Sequence, residues 1–162
     1  MPWPLTQPSS LLATDVTAQT TRHADDHNKT AALLAVLTPG PWINVNPVGG
    51  NLPAFATGWY NFGGGWQLAR IRREGGDICR IEGFVAGVPG SILTVPIGYR
   101  PAQNMRWVGG ADTSAGSPAA AFCRLDILST GVMQMSLWAG GGSGNVAAMS
   151  INMTYAIDPS QL

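Results

Sequence analysis

Through most of the chain, apolar positions recur every second residue. Cys79, Ile81, Gly83 and Val85 alternate with Ile78, Arg80, Glu82 and Phe84. Ala69, Ile71 and Arg73 alternate with Leu68, Arg70 and Arg72, and Ala121, Cys123, Leu125 and Ile127 share one parity. Met133, Met135 and Leu137 oppose Val132, Gln134, Ser136 and Trp138. A period of two is that of a half-buried strand. It predicts strands over 42–45, 67–74, 77–85, 92–95, 105–108, 119–129, 132–138 and 148–157. Turn chemistry separates them at 47–51, 75–76, 87–90 and 130–131, with a small-residue loop over 112–118 and a Gly-rich loop over 140–144. Ile92–Ala102 reads as a strand stopped by Pro96, with a turn on Gly98 and an extended exit set by Pro101. Short strands at regular spacing predict a mainly β fold, a β-sandwich or jelly-roll-like domain.

Before Pro41 the period changes. Pro2, Pro4 and Pro8 predict an extended arm over 1–12, whose Trp3, Leu5, Leu11 and Leu12 suit docking on a partner. Residues 13–37 carry the one short helix, with Thr20 or Thr21 as candidate cap and Thr38-Pro39-Gly40-Pro41 as its stop. Val16, Thr20, His23, His27, Thr30, Leu34 and Leu37 follow one another at alternating steps of four and three. That is a heptad seam, oily at one end and polar in the middle. A short parallel bundle tolerates such layers if another domain adds association energy. The expected division is an arm and helix for attachment and trimerisation, 1–40, and a β domain, 41–162.

Composition narrows the class. Nine basic and nine acidic residues leave no net charge, which argues against nucleic acid as a partner. Charged residues are 11% of the chain, well below the roughly 25% of an average soluble domain. A chain so poor in charge suits an assembly whose neighbours cover its surface. The 21 Gly and 12 Pro fall between apolar runs, as turn punctuation does. No apolar run reaches the roughly 18 residues of a membrane span, and Met1–Leu5 has no pattern of a secretory signal.

Candidate chemistry is sparse. His23 and His27 share a helical face, but the residue after His23 is Ala24, which excludes a His-Glu-x-x-His site. Hydrogen bonding within the bundle is the plainer reading of the pair, with an ion site on a symmetry axis as the sharper one. Cys79 and Cys123 fall in strands and read as small buried hydrophobes, with a disulfide left open. The Gly-rich runs lead into strands, and the single lysine, Lys29, lies in the helix, so a phosphate loop is not expected. Asp77, Glu82, Asp112 and Asp126 read as turn and surface carboxylates rather than as an acid–base pair. No catalytic residue, resident metal or cofactor is therefore expected. Trp59, Tyr60, Trp66, Trp107 and Trp138 remain as a candidate surface for a sugar ring or a protein partner.

Several of these residues carry a family likeness. Gly58-Trp59, the Arg70–Arg73 strand, Gly76-Asp77 with Gly83, and Val95-Pro96-Ile97-Gly98-Tyr99-Arg100-Pro101 follow in order, with Leu125, Ile127, Gly131 and Trp138-Ala139 behind them. This β part resembles the C-terminal domain of bacteriophage tail-fibre and minor tail proteins, particularly in phages of actinobacteria. Val95 stands where that pattern more often has Leu. His23-Ala24-Asp25-Asp26-His27-Asn28 is similar to a His-x-x-x-His-Asn helix near the start of such proteins. The likeness spans about residues 20–140. It implies a homotrimeric, non-enzymatic virion protein, held to other virion proteins by its arm. A tail-tip or fibre position comes first and capsid decoration second. A carbohydrate-binding module that recognises a host glycan is the competing class.

Overall fold

The computed structural model describes residues 9–114, 117–138 and 146–161. The chain divides into two compact units, residues 1–38 and 39–162.

The first unit is a helix, α1 (Ser9–Leu37). Ser9–Leu12, expected as part of an extended arm, are helical. Residues 1–8, the rest of the expected arm, lie outside the described residues. At the other end, Thr38 closes α1 twice on one carbonyl: its amide and its Oγ1 donate to Leu34 O at 2.9 and 2.7 Å. Pro39 and Pro41 then prevent another turn. Twenty-nine residues make a rod about 44 Å long.

The second unit is mainly β: β1 (Ile43–Asn44), β2 (Ala54–Phe55), β3 (Tyr60–Asn61), β4 (Arg70–Gly75), β5 (Ile78–Gly87), β6 (Gly90–Thr94), β7 (Met105–Ser114), β8 (Ser117–Ile127), β9 (Val132–Trp138) and β10 (Val146–Ala156), then a 3-10 turn, Pro159–Gln161. The ladders between these strands are antiparallel. They join into one curled sheet in the order β1-β4-β5-β10-β7-β8-β9-β6-β2, with β3 on β5. Pairing within it is uneven. β5 and β10 are in register from Met149↔Val85 to Ala156↔Ile78, and β7 pairs β8 from Met105↔Ile127 to Ser114↔Ser117. Between β10 and β7, among the described residues, the pairs are Ala148↔Asp112 and Met149↔Ala111. The far ends of the order also meet. Asn46 bridges Ala54, its amide donating to Pro53 O at 2.8 Å and its carbonyl accepting from Phe55 N at 3.0 Å.

The parities read from sequence are those of the core. Ile71, Ile81 and Met153 form one buried row across β4, β5 and β10, and Ile127, Met133 and Leu93 form another across β8, β9 and β6. Burying each such side chain contributes about 1.5–3 kcal/mol. Cys79 and Cys123 are buried on this face as free thiols. Burial pushes the Cys79 thiol up to about 12 and raises that of Cys123, so both behave as small hydrophobes. The hairpin differs from expectation: β7 continues through Ser114 and β8 starts at Ser117, so most of the expected loop over 112–118 is strand. Small residues gave no alternation to read there, and the backbone ladder supplies the pairing instead.

Candidate functional site

The segment after β6 is a fastening at one end of the sheet. Pro96 ends the strand, and a turn closes from Tyr99 N to Pro96 O at 3.2 Å. Its polar groups then tie four elements together. Arg73 of β4 donates from Nη2 to Gly98 O at 2.9 Å, and its guanidinium lies 5.5 Å from the Tyr99 ring centre. Tyr155 of β10 donates its hydroxyl to Tyr99 O at 2.7 Å. Burial raises the Tyr155 phenol well above its ordinary range, with the neighbouring Cys79 adding to the rise. Gln161 accepts the Gly98 amide at 3.1 Å, and Arg100 donates from Nε to Val95 O at 3.1 Å. The Val95 amide donates to Gly131 O at 2.9 Å, and Pro101 bridges Ile157. Tyr99, Arg100 and Arg73 are thus used up in holding the chain's own backbone. The Gly98-Tyr99-Arg100-Pro101 signature therefore has an architectural role.

The outer face of β4 and β5 carries a closed circuit of charge. Arg70 meets Glu82 at 2.6 Å, Glu82 meets Arg80 at 2.9 Å, Arg80 meets Glu74 at 3.6 Å and Glu74 meets Arg72 at 3.0 Å. Trp42 completes it, with the Arg70 and Arg72 guanidiniums 4.2 and 4.3 Å from its ring. Alternate charges on cross-strand neighbours are how such a face is kept ordered. On β7 and β8, Asp126 is buried and held between Arg106, 2.8 Å from Nε to Oδ1, and Arg124, 3.1 Å from Nε to Oδ2. The Arg106 hydrogen bond holds the Asp126 carboxyl below the usual carboxylate range. Arg124 Nε is close enough for an ion pair but is not aligned to donate. Glu82 and Asp126 are therefore each committed to arginines, which leaves neither as a free acid or base.

The five expected surface aromatics separate. Trp59 is 3% exposed and belongs to the core. Its ring lies against Gly87, where an added Cβ would come within 2.4 Å of the indole, and its Nε1 has no partner. Trp107 packs on the core and tilts against Tyr155, with ring centres 6.3 Å apart. Trp59 therefore offers no ring to a ligand, and Trp107 is half-buried. The Trp138 side chain lies outside the described residues. Tyr60 and Trp66 are exposed, and they belong to a patch that includes Phe62 and Phe84. Trp66 stacks on Phe84 at 4.8 Å and 27°, and Phe62 meets the same ring edge-on at 5.1 Å and 89°. Phe62 and Phe84 were not singled out from sequence, although Phe84 shares its parity with the outward Arg80 and Glu82.

The expected helical seam lies on α1. Thr20, His23, His27, Thr30, Leu34 and Leu37 are all exposed, the two leucines by about two-thirds. The Val16 side chain is outside the described residues. Thr30 Oγ1 donates to Asp26 O at 2.8 Å, and the His23 and His27 Nε2 atoms face each other at 3.2 Å. Among the described residues no group of three or more His, Cys, Asp or Glu could hold a metal, and no helix is long and apolar enough to cross a membrane.

Comparison with known protein families, curated proteins and solved structures finds no match for this chain.

Proposed function

We propose that the chain is a non-enzymatic structural protein of a bacteriophage particle, a short homotrimer of tail-tip or fibre type. The observation that carries the reading is α1: a long helix whose heptad seam, ending in Leu34 and Leu37, stands exposed in the single chain. Exposed leucines at a and d spacing are what a parallel bundle buries. The β unit supports the same reading. Its titratable and polar groups close the fold or pair on its faces, and the family likeness sits on residues that fasten the sheet. We read the sheet as the jelly-roll-like, two-layered form. Two well-paired halves, joined along one side by the β10–β7 ladder and at the far ends by the Asn46–Ala54 bridge, suit a sheet folded to face itself.

The Tyr60–Phe62–Trp66–Phe84 patch favours a role at the host surface over a purely internal one, because exposed aromatic faces suit sugar rings and protein partners alike. Capsid decoration is the alternative placement for the same trimer, and a free carbohydrate-binding module is the alternative class. The test is the solution mass of the purified chain by light scattering, followed by its detection on purified particles. A trimer that stays with particles supports the proposal. A monomer that binds glycan alone overturns it.

A further inference from the structure

We propose that His23 and His27 form a transition-metal site on the axis of the helical bundle. The inference rests on the trimeric reading above, and it starts from one distance. The two Nε2 atoms are 3.2 Å apart, on rings 4.5 Å apart and steeply inclined at 77°. Both side chains are exposed. As a hydrogen bond between neutral imidazoles, this contact needs one Nε2 protonated and the other bare. As a pair of ligands it needs neither proton. With metal–nitrogen bonds of about 2.1 Å, adjacent ligands are about 3.0 Å apart in an octahedral site and about 3.4 Å in a tetrahedral one. The observed spacing falls between them, so an ion can replace the hydrogen bond with a shift of a few tenths of an ångström.

The donor count fixes the rest. Among the described residues no third His, Cys, Asp or Glu joins the pair. One chain then supplies two nitrogens, too few for a closed site. In the seam, however, His23 and His27 occupy consecutive d and a layers. Three parallel copies bring two triangles of imidazoles to one axis, six nitrogens in all. That is an octahedral donor set, and imidazole suits zinc, nickel and copper better than calcium or magnesium. The site also accounts for placing two histidines where a bundle would otherwise bury leucine. The ion would cross-link the polar middle of the seam, with the Leu34 and Leu37 layers on one side of it.

The test uses the full chain without an affinity tag, stripped by chelator and then titrated with zinc alone at neutral pH. Bound metal and light-scattering mass are measured on the same samples. The expected result is one zinc per three chains on a trimer, with affinity falling more than about tenfold in His23→Ala or His27→Ala. Circular dichroism of the variants confirms that α1 is retained. A trimer that binds no more zinc than a variant carrying both His23→Ala and His27→Ala overturns the site and leaves the assembly standing. A monomer that binds one zinc per chain, or none, overturns both.

Discussion

Gly131 and Asp126 show how single residues hold the β unit. Gly131 lies against the fastening loop with φ +91, and a Cβ there would come within 2.6 Å of Val95 O and 2.7 Å of Arg100 Nε. Neither neighbour can withdraw, because one is backbone and the other is donating to that same carbonyl. Gly131→Ala should therefore lower stability by about 1–3 kcal/mol, read from urea unfolding followed by tryptophan fluorescence. An unchanged midpoint would mean that the loop carries little of the stability. Asp126 adds a pH dependence whose sign follows from its depressed pKa. The folded carboxyl titrates below its unfolded value, so its contribution is present above the usual carboxylate range and is lost as pH falls through the folded pKa. The gap in stability between the wild type and Asp126→Asn should be present at neutral pH and shrink below about pH 4. A gap that does not change with pH would detach the pairing from that carboxyl's ionisation. The fastening residues stand together in the sequence from Val95 to Pro101. Their partners, Arg73, Gly131, Tyr155 and Gln161, come from four distant places, and no local pattern links them.

Elements were legible where the side-chain pattern had contrast. The long alternations fixed the inner faces of β4, β5, β8 and β9, since burial of one parity is what makes a strand register specific. Where contrast was missing, the elements left no such pattern. β2 has two residues, and the small-residue hairpin of β7 and β8 hides its pairing in backbone hydrogen bonds. On α1 the heptad was visible from spacing alone. The seam makes its own prediction. Leu34→Asn with Leu37→Asn removes the apolar layers and should shift the purified chain from trimer toward monomer at micromolar concentration. Lys29→Gln, off the seam, should leave the mass unchanged. Mass photometry of the three proteins side by side decides it, and intact trimers in the double variant would show that the β units hold the assembly without the helix.

At the scale of the molecule, nothing local in the sequence foretells that Asn46 meets Ala54, or that β10 lies beside β7. Closure depends on the summed twist of the whole sheet, not on a motif. The same limit applied to the candidate surface. Aromatic content named Trp59 and Trp107 along with Tyr60 and Trp66, and only the fold could send the first two inward. The surviving patch carries the prediction that separates tail from capsid. Trp66 is 58% exposed and stacks on Phe84, an interaction worth about 0.5–1.5 kcal/mol. Trp66→Ala should therefore leave folding and trimer mass intact. If the protein stands at the tail tip, particles carrying Trp66→Ala should adsorb to host cells several-fold more slowly, measured as loss of free particles over time. Particles that hold the variant in normal amount and adsorb at the wild-type rate would remove the patch from host contact and move the trimer to the capsid surface, where an exposed indole need meet no receptor.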